Sequence, residues 1–183
     1  MSEPSRPSTP DPTHLARRTA ELHAALREIE PGLLAQRTGA TYVPVSPEQG
    51  SFHLHYWDRQ VALTYPEFVA RDGRTGELLG SLDEAMLAYY FALSDSTPET
   101  GNWIAFTELP DGRFYTQAFQ GYTGNELAKT FANDEEGFAA AATVAQGREL
   151  QPDAGPGDRA FSFRALPYVS ILVVCWLGDE DFP

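Results

Sequence analysis

The chain of 183 residues carries 13 Lys and Arg residues against 26 Asp and Glu residues, a formal net charge of −13. Phosphate backbones are bound by clustered cations, and the only adjacent basic pair here is Arg17 and Arg18. The composition therefore excludes nucleic acid as an expected partner. The same negative charge would repel an anionic membrane leaflet.

A single cysteine, Cys175, excludes an internal disulfide and any zinc or iron–sulfur site built from several cysteines. The N-terminus is polar and rich in proline, unlike a signal peptide. The longest apolar run, residues 169–177, is shorter than the ~20 residues that a bilayer span needs. These features predict a cytoplasmic protein with no membrane partner. No cofactor is predicted, although a metal ion stays an open alternative.

The length and the ordinary apolar content favour one domain after a short leader. Residues 1–12 are rich in Ser and Pro and are expected to be disordered. Residues 13–183 are long enough to fold as a single globular domain without a disulfide or a metal.

The first part of that domain is predicted to be helical. Asp11 and Pro12 suit an N-cap and a first helical turn. Apolar residues then recur with the spacing of one helix face, at Leu15, Leu22, Leu26 and Ile29. Pro31 begins a second, short helix. Gly39 is its expected end, because glycine adopts the left-handed conformation of a helix C-terminus without strain.

An antiparallel meander is predicted next. Its four strands cover residues 40–45, 51–57, 61–65 and 68–71. The first contains Pro44, which cannot donate a ladder hydrogen bond and therefore belongs at a sheet edge. The second alternates Phe52 and Leu54 with His53 and His55, which is the period of a half-buried strand.

A third helix is predicted to open at the capping box Ser81-Leu82-Asp83-Glu84. Its apolar stripe comprises Leu82, Met86, Tyr89 and Leu93. A strand over residues 102–107 and a turn at residues 110–112 follow. Two more helices are predicted: one opens at Thr123-Gly124-Asn125-Glu126, and the other covers residues 135–146 with Asn133 or Asp134 as its cap.

The chain is predicted to end in two strands, residues 160–165 and 168–177. The second is apolar on both faces and is therefore expected at the centre of the sheet. The predicted fold class is α+β: an antiparallel or mixed sheet with helices packed mainly on one face.

The common motifs for phosphate binding, dinucleotide binding, serine hydrolysis and zinc proteolysis are absent from the sequence. His53 and His55 are the best candidates for metal ligands, because residues two apart on a strand project from one face. A third ligand would come from His14, His23 or a carboxylate. The alternative is that the two histidines form the solvated face of an amphipathic strand.

Further candidate chemistry comes from an acidic cluster and a possible pocket. The cluster, Asp179-Glu180-Asp181, either binds a hard cation or forms a solvated terminus. The pocket would use a carboxylate, guanidinium groups and aromatic rings near the segment 103–115 and the strand 160–165. Its residues are Trp103, Glu108, Arg113, Tyr115, Arg164 and Asp179. A structural ion pair between Glu and Arg is the alternative.

Two elements of the sequence together indicate a known family: Trp103-x-x-Phe106-x-Glu108-Leu109-Pro110 and Phe161-x-Phe163-x-x-Leu166-Pro167. With the terminal Asp-Glu-x-Phe-Pro they resemble a prokaryotic family of uncharacterised proteins, domain of unknown function 3786, over residues 15–183. Some relatives carry a small iron–sulfur cluster domain, which implies a role beside redox or one-carbon metabolism. This chain departs from that pattern, because one cysteine cannot hold such a cluster.

Relatives in that family continue past the terminal Phe-Pro, so this chain is expected to be a short variant or a truncated one. Truncation would leave the last apolar strand without a neighbour and would favour self-association through it. The leading hypothesis is an accessory domain that binds a small molecule or a protein partner. The alternative is a metal-dependent or acid–base enzyme with a pocket near Glu108, Arg164 and Asp179. A third alternative is a purely structural subunit.

Overall fold

The computed structural model describes residues 12–131, 134–151 and 155–177. The chain divides into two compact units. We call residues 12–99 and 164–170 the N-terminal unit, and the described parts of residues 100–163 and 171–177 the C-terminal unit. The predicted leader falls outside the described residues except for Pro12, where the first helix begins. The prediction of a single globular domain stays a prediction.

The described residues contain helices and strands in a mixed order. The helices are α1 (Pro12–Arg27), α2 (Pro31–Thr38), α3 (Ser81–Leu93), α4 (Gly112–Tyr122), α5 (Gly124–Phe131) and α6 (Glu135–Val144). The strands are β1 (Thr41–Ser46), β2 (Gln49–Tyr56), β3 (Arg59–Tyr65), β4 (Ala70–Asp72), β5 (Arg148–Glu149), β6 (Arg159–Leu166) and β7 (Val169–Cys175).

The predicted meander is confirmed in the N-terminal unit. Its strands pair antiparallel in the order β1-β2-β3-β4, so the proline-containing β1 lies at an edge. In the register of β2 and β3, Phe52 lies opposite Leu63 and Leu54 opposite Val61, and all four side chains are buried. The exposed His53 between Phe52 and Leu54 shows that the other face of the sheet is polar.

Helices cover the apolar face of this sheet, which confirms the α+β class. Leu26 of α1, Leu34 of α2 and Leu87 of α3 join the sheet residues in one core cluster. Aromatic rings fill its centre, with Phe52 lying 5.0 Å from Phe91 between ring centroids. Gly39 ends α2 in the left-handed conformation, at φ 67°, as its position in the sequence predicts.

Helix α3 corrects two predictions. It begins at Ser81, but its N-cap is Gly80 and no side chain caps it, so the capping box does not form. The predicted apolar stripe is also the wrong face, because Leu82 and Leu93 are exposed, at 65% and 77%. The buried side chains are Ala85, Leu87, Ala88, Tyr90 and Phe91. Since α3 is apolar around most of its circumference, its sequence does not reveal which side is inward.

The C-terminal unit begins with a correction to the predicted strand at residues 102–107. Residues 102–107 form no strand; the chain runs irregularly into a 3-10 turn, Phe106–Glu108, and then into α4. The backbone N–H of Ala105 donates to Glu108 Oε2 at 2.6 Å, which closes this turn. The ring of Phe106 stacks on Phe119 of α4 with 3.9 Å between centroids. A Cβ atom at Gly112 would collide with the carbonyl oxygen of Phe106, so glycine is required there.

The rest of this unit contains the predicted helices α5 and α6 and a small sheet. Asp134 caps α6 by accepting a hydrogen bond from the N–H of Gly137 at 2.8 Å. The order of the sheet is β5-β6-β7, so β7 lies at an edge among the described strands, not at the centre as predicted. Its side chains are mostly half-buried, so an apolar strand of this composition does not require two neighbouring strands.

Candidate functional site

An open groove of about 390 Å³ lies in the N-terminal unit beside α3. Its walls come from three segments that are distant in the sequence: α3 itself, residues 94–97 after it, and the turn of the β6–β7 hairpin. Helix α3 contributes Met86, Tyr89, Tyr90 and Leu93, and the hairpin contributes Leu166, Tyr168 and Val169.

The α3 wall uses three residues of the predicted apolar stripe, which is mostly exposed. Met86, Tyr89 and Leu93 recur at helical spacing on the side of α3 opposite the core residues Leu87 and Phe91. An exposed apolar face on a helix whose other face is already packed is a common mark of a binding surface. We therefore interpret this part of the stripe as a candidate binding wall, not as a surface that packs against the core.

The hairpin wall is held by the hydroxyl of Tyr90. This hydroxyl donates to the carbonyl oxygen of Thr38 at 2.7 Å and accepts from the N–H of Tyr168 at 3.3 Å. Burial raises the pKa of Tyr90, so the hydroxyl stays protonated at neutral pH. One buried side chain thus connects α2, α3 and the hairpin turn.

Arg164, a residue singled out in the sequence, also braces the hairpin. Its Nη1 donates to Glu99 Oε1 at 2.8 Å and to the carbonyl oxygen of Pro167 at 3.0 Å. His55 Nε2 lies 2.9 Å from the carbonyl oxygen of Arg164, and the N–H of Trp57 donates to Ala165 at 2.8 Å. The structure thus brings together two sequence candidates, His55 and Arg164, in supporting contacts beside the groove.

The third wall, residues 94–97, is a fixed loop. Ser96 has φ 67°, a left-handed conformation that is uncommon for a residue other than glycine. Its N–H donates to the carbonyl oxygen of Arg37 at 3.0 Å, which holds the loop on α2. Such backbone conformations persist where the surroundings fix them, and they recur at ligand-binding sites.

Asp95 gives the groove its negative charge. The side chain and the backbone N–H of Thr97 hydrogen bond to this carboxylate, which lowers the pKa of Asp95 below its ordinary value. The carboxylate is therefore ionised at neutral pH. Asp95 is the one acidic residue in the groove lining, which also contains apolar and aromatic side chains, so the groove combines an apolar body with one anionic position.

The predicted histidine site is occupied by local hydrogen bonds. His53 Nε2 lies 2.8 Å from Ser51 Oγ, and His55 contacts the Arg164 carbonyl. Within the described ranges, no three His, Cys, Asp or Glu side chains are grouped as a metal site requires. His23, one of the proposed third ligands, stacks on Phe68 at 5.1 Å, and burial lowers its pKa. The metal site at His53 and His55 stays a prediction.

The other predicted pocket residues belong to separate parts of the molecule. Trp103, Glu108, Arg113 and Tyr115 are in the C-terminal unit, and Arg164 is in the N-terminal unit. Arg113 and Tyr115 lie on the helix α4, not on the predicted strand–turn segment. Asp179 and the rest of the acidic cluster 179–181 lie outside the described residues. The enzyme pocket therefore stays a prediction.

Cys175 lies half-buried at the end of β7. Burial, together with the carboxylates of Asp158 and Glu135, raises the pKa of its thiol. A raised pKa leaves the less nucleophilic protonated form at neutral pH, which suits the expected inert role.

Sequence reasoning missed the groove for two reasons. It identified Met86, Tyr89 and Leu93 as part of an apolar stripe without predicting which way they face, and it gave Tyr168 no role. The available signal was the excess of apolar residues in α3, which is greater than one buried face needs. Nothing in the sequence connects α3 with Tyr168, because the two meet only through tertiary packing.

The fold and the groove define an α+β protein with an antiparallel meander, helices on its apolar face and an open apolar site beside one of them. Across the described residues, no helix has both the length and the apolar character that crossing a membrane requires. The sequence profile of the family described as domain of unknown function 3786 matches residues 30–183, and the chain belongs to this family. No curated protein and no solved structure matches the chain.

Proposed function

We propose that the chain is a non-catalytic accessory domain whose α3 groove binds a small ligand or a short segment of a protein partner. The observation that carries this proposal is the exposed apolar stripe of α3 facing a concave surface. A volume of about 390 Å³ lies at the small end of the range for ligand sites, roughly 300–1,000 Å³.

The lining favours a ligand with an apolar body and a cationic or hydrogen-bond-donating group. Tyr89 and Tyr168 offer aromatic faces, which attract both apolar groups and cations. The ionised carboxylate of Asp95 lies at one end of the same groove. An anionic ligand would be repelled there and by the net charge of −13.

Preorganised walls support a binding role. The hydrogen bonds of Tyr90, Arg164 and Ser96 hold the hairpin and the loop before any ligand arrives, which reduces the entropy lost on binding. The cytoplasm remains the proposed compartment, and a role beside redox or one-carbon metabolism remains a proposal from the family resemblance.

The test uses two probes that share an indole ring and differ in charge, tryptamine and indole-3-acetate. We expect tryptamine to shift the amide NMR signals of residues 93–97, 166, 168 and 169, and indole-3-acetate to shift them little. Both probes have the same apolar body, so the difference reports on the negative charge of Asp95 together with that of the whole chain.

Two variants locate the binding. Met86→Arg places a cation in the groove and is expected to abolish the tryptamine shifts. Leu82→Arg introduces the same charge on the same stripe of α3, but outside the groove lining, and is expected to leave them unchanged. Shifts that survive Met86→Arg, or no shifts with either probe, would contradict a binding role for the groove.

A further inference from the structure

Helix α4 in the C-terminal unit has an aromatic face that its own chain leaves uncovered. Phe114 is 82% exposed, and Tyr115 and Tyr122 are each 56% exposed. The flank of the helix next to Tyr115 is already packed, since Phe119, four residues further on, stacks on Phe106. Large exposed aromatic groups on one side of a helix are typical of an interaction surface.

The residues of this face are arranged symmetrically about Ala118. Phe114 and Tyr122 each lie four residues from it, and Tyr115 and Gly121 each lie three residues from it. If two such helices pack antiparallel across a two-fold axis at Ala118, Phe114 lies opposite Tyr122 and Tyr115 lies opposite Gly121. Aromatic rings then pair with each other, and a large side chain meets a residue with none. A self-complementary surface of this kind is what an isologous interface requires.

Gly121 has no evident reason to be glycine within its own chain. It does not have the left-handed backbone conformation, and a Cβ atom added there would have no neighbour within 4 Å. Glycine is a poorer helix former than alanine by about 1 kcal/mol. Close approach by an external side chain explains why a helix would keep glycine at this position.

The charge on α4 also suits a second copy of the chain. Two copies with a net charge of −13 repel each other, so their interface must avoid acidic residues. Helix α4 contains no Asp or Glu, and its single charged residue, Arg113, lies away from the face centred on Ala118. The face can therefore meet its own copy without placing like charges opposite each other.

The aromatic face supplies about half of the area that each copy buries in a dimer interface of standard size. Aromatic side chains bury roughly 150–250 Å² each, so the exposed fractions of Phe114, Tyr115 and Tyr122 amount to about 400 Å² per copy. A standard interface buries about 800 Å² per partner. Exposed Leu109 and Leu127 extend the apolar area, on the segments that flank α4 in the sequence.

We infer that α4 forms the interface between two copies of this chain, packed antiparallel about a two-fold axis at Ala118. This inference is independent of the groove in the N-terminal unit. It also differs from the self-association predicted from the sequence, which uses β7.

The first test measures the mass of the full chain by sedimentation over a concentration series. We expect a dimer for the unaltered chain. In Ala118→Glu, two carboxylates face each other at the axis, and the dissociation constant should rise on the order of 100-fold. Gln120→Glu adds the same charge at an exposed position on the opposite side of the same helix and should leave the dimer intact.

Gly121→Leu separates an interface role from a folding role. Leucine fills the space that Tyr115 of the second copy would occupy, so the dimer should weaken on the order of 10-fold or more. The helix itself gains a better helix former in open space, so the melting temperature of the separated chain should not fall.

Three outcomes would overturn the inference. The first is a monomer at every concentration of the unaltered chain. The second is a dimer that Ala118→Glu and Gly121→Leu leave unchanged. The third is a dimer lost in Ile171→Lys on the edge strand β7 but retained in both α4 variants, since that result would assign self-association to β7.

Discussion

The two units differ most in what they do with their apolar side chains. Among the described residues, the main core cluster of the N-terminal unit contains 14 buried residues, whereas the cluster of the C-terminal unit contains three, Phe138, Ala142 and Phe161. The C-terminal unit leaves large aromatic groups such as Phe114 and Trp103 at its surface. One unit is built around its own interior, and the other presents a large share of its apolar area outward.

This difference follows from local architecture. In the N-terminal unit, a four-stranded meander gives a continuous apolar face, and α1 to α3 cover it. In the C-terminal unit, short helices follow one another closely, and the small cluster on the sheet joins Phe161 of β6 to Phe138 of α6, with Phe131 of α5 packed against it. An unburied apolar face stabilises nothing in the isolated chain, so it marks a surface shaped for contact.

The largest contrast is expected from two phenylalanines. Phe52→Ala removes a fully buried ring at the centre of the aromatic cluster and should lower the free energy of unfolding by about 3–5 kcal/mol. Phe114→Ala removes an exposed ring and should cost less than about 0.5 kcal/mol when measured on the monomer. Denaturant unfolding of both variants provides the measurement. Equal costs would remove the distinction between the units.

Hydrogen exchange should show the same contrast without mutation. Amides of β2 and β3 are expected to exchange only through global unfolding, because both strands pair on two sides in a buried sheet. Amides of α4 should exchange through local opening at a free energy on the order of 2–3 kcal/mol lower. Measurement at low protein concentration avoids protection by the proposed dimer. Uniform protection would indicate that the two units unfold as one.

Tyr90→Phe tests the connection between the core and the groove. The change removes the hydroxyl that bonds to Thr38 and Tyr168, and leaves their buried polar groups without that partner. We expect a loss of about 1–3 kcal/mol in the free energy of unfolding. Weaker tryptamine binding should accompany it, because the hairpin wall loses its anchor. A loss of stability with unchanged binding would contradict the role of Tyr90 in shaping the groove.

His23 should make the N-terminal unit sensitive to acid. Burial against Phe68 and the nearby Arg27 lower the pKa of His23 below its ordinary value of 6.5. The folded state therefore favours the neutral ring, so its contribution to stability is present above the unfolded pKa and is lost as the pH falls through the folded pKa. Unfolding curves measured downward from pH ~7 should show this loss. His23→Phe keeps the stacked ring and should remove this component of the pH dependence.

The smallest effect is expected at Leu82. Leu82→Gln changes an exposed side chain on α3 and should alter stability by no more than about 0.5 kcal/mol. Leu87→Ala, on the packed side of the same helix, should cost about 2–5 kcal/mol. Thermal or denaturant unfolding distinguishes the two faces directly. A large loss of stability in Leu82→Gln would indicate that the stripe containing Leu82 packs against the core after all.

Much of the N-terminal unit was predictable because its signals are local. Phe52 and Leu54 alternate with polar residues, so the strand period identified the inward face. Gly39 and Pro31 marked the ends of α2 by their backbone preferences. By contrast, the strand predicted at residues 102–107 was wrong. Short apolar runs fit strands and irregular segments equally well, and here the stacking of Phe106 on Phe119 decided the outcome.

The candidate site was less predictable than the fold. His55 and Arg164 were singled out as chemical groups, and the structure shows them in hydrogen bonds that support the hairpin. Met86, Tyr89 and Leu93 were identified as part of an apolar stripe, but the sequence did not show which way that stripe faces. Tyr168 had no signal at all, because its importance depends on a bond to Tyr90.

The sequence by itself determined the α+β class, the antiparallel meander, most helix positions and the family. The class, the meander and the helix positions depend on hydrophobic periodicity and on the backbone preferences of proline and glycine, which act over a few residues, whereas the family follows from similarity of sequence over residues 30–183. The tertiary structure alone decided which face of α3 is buried, that β7 lies at an edge among the described strands, and that α3 meets the hairpin to form a groove. Those outcomes depend on packing between segments far apart in the chain. A residue's own neighbours in the sequence cannot specify which distant surface will cover it.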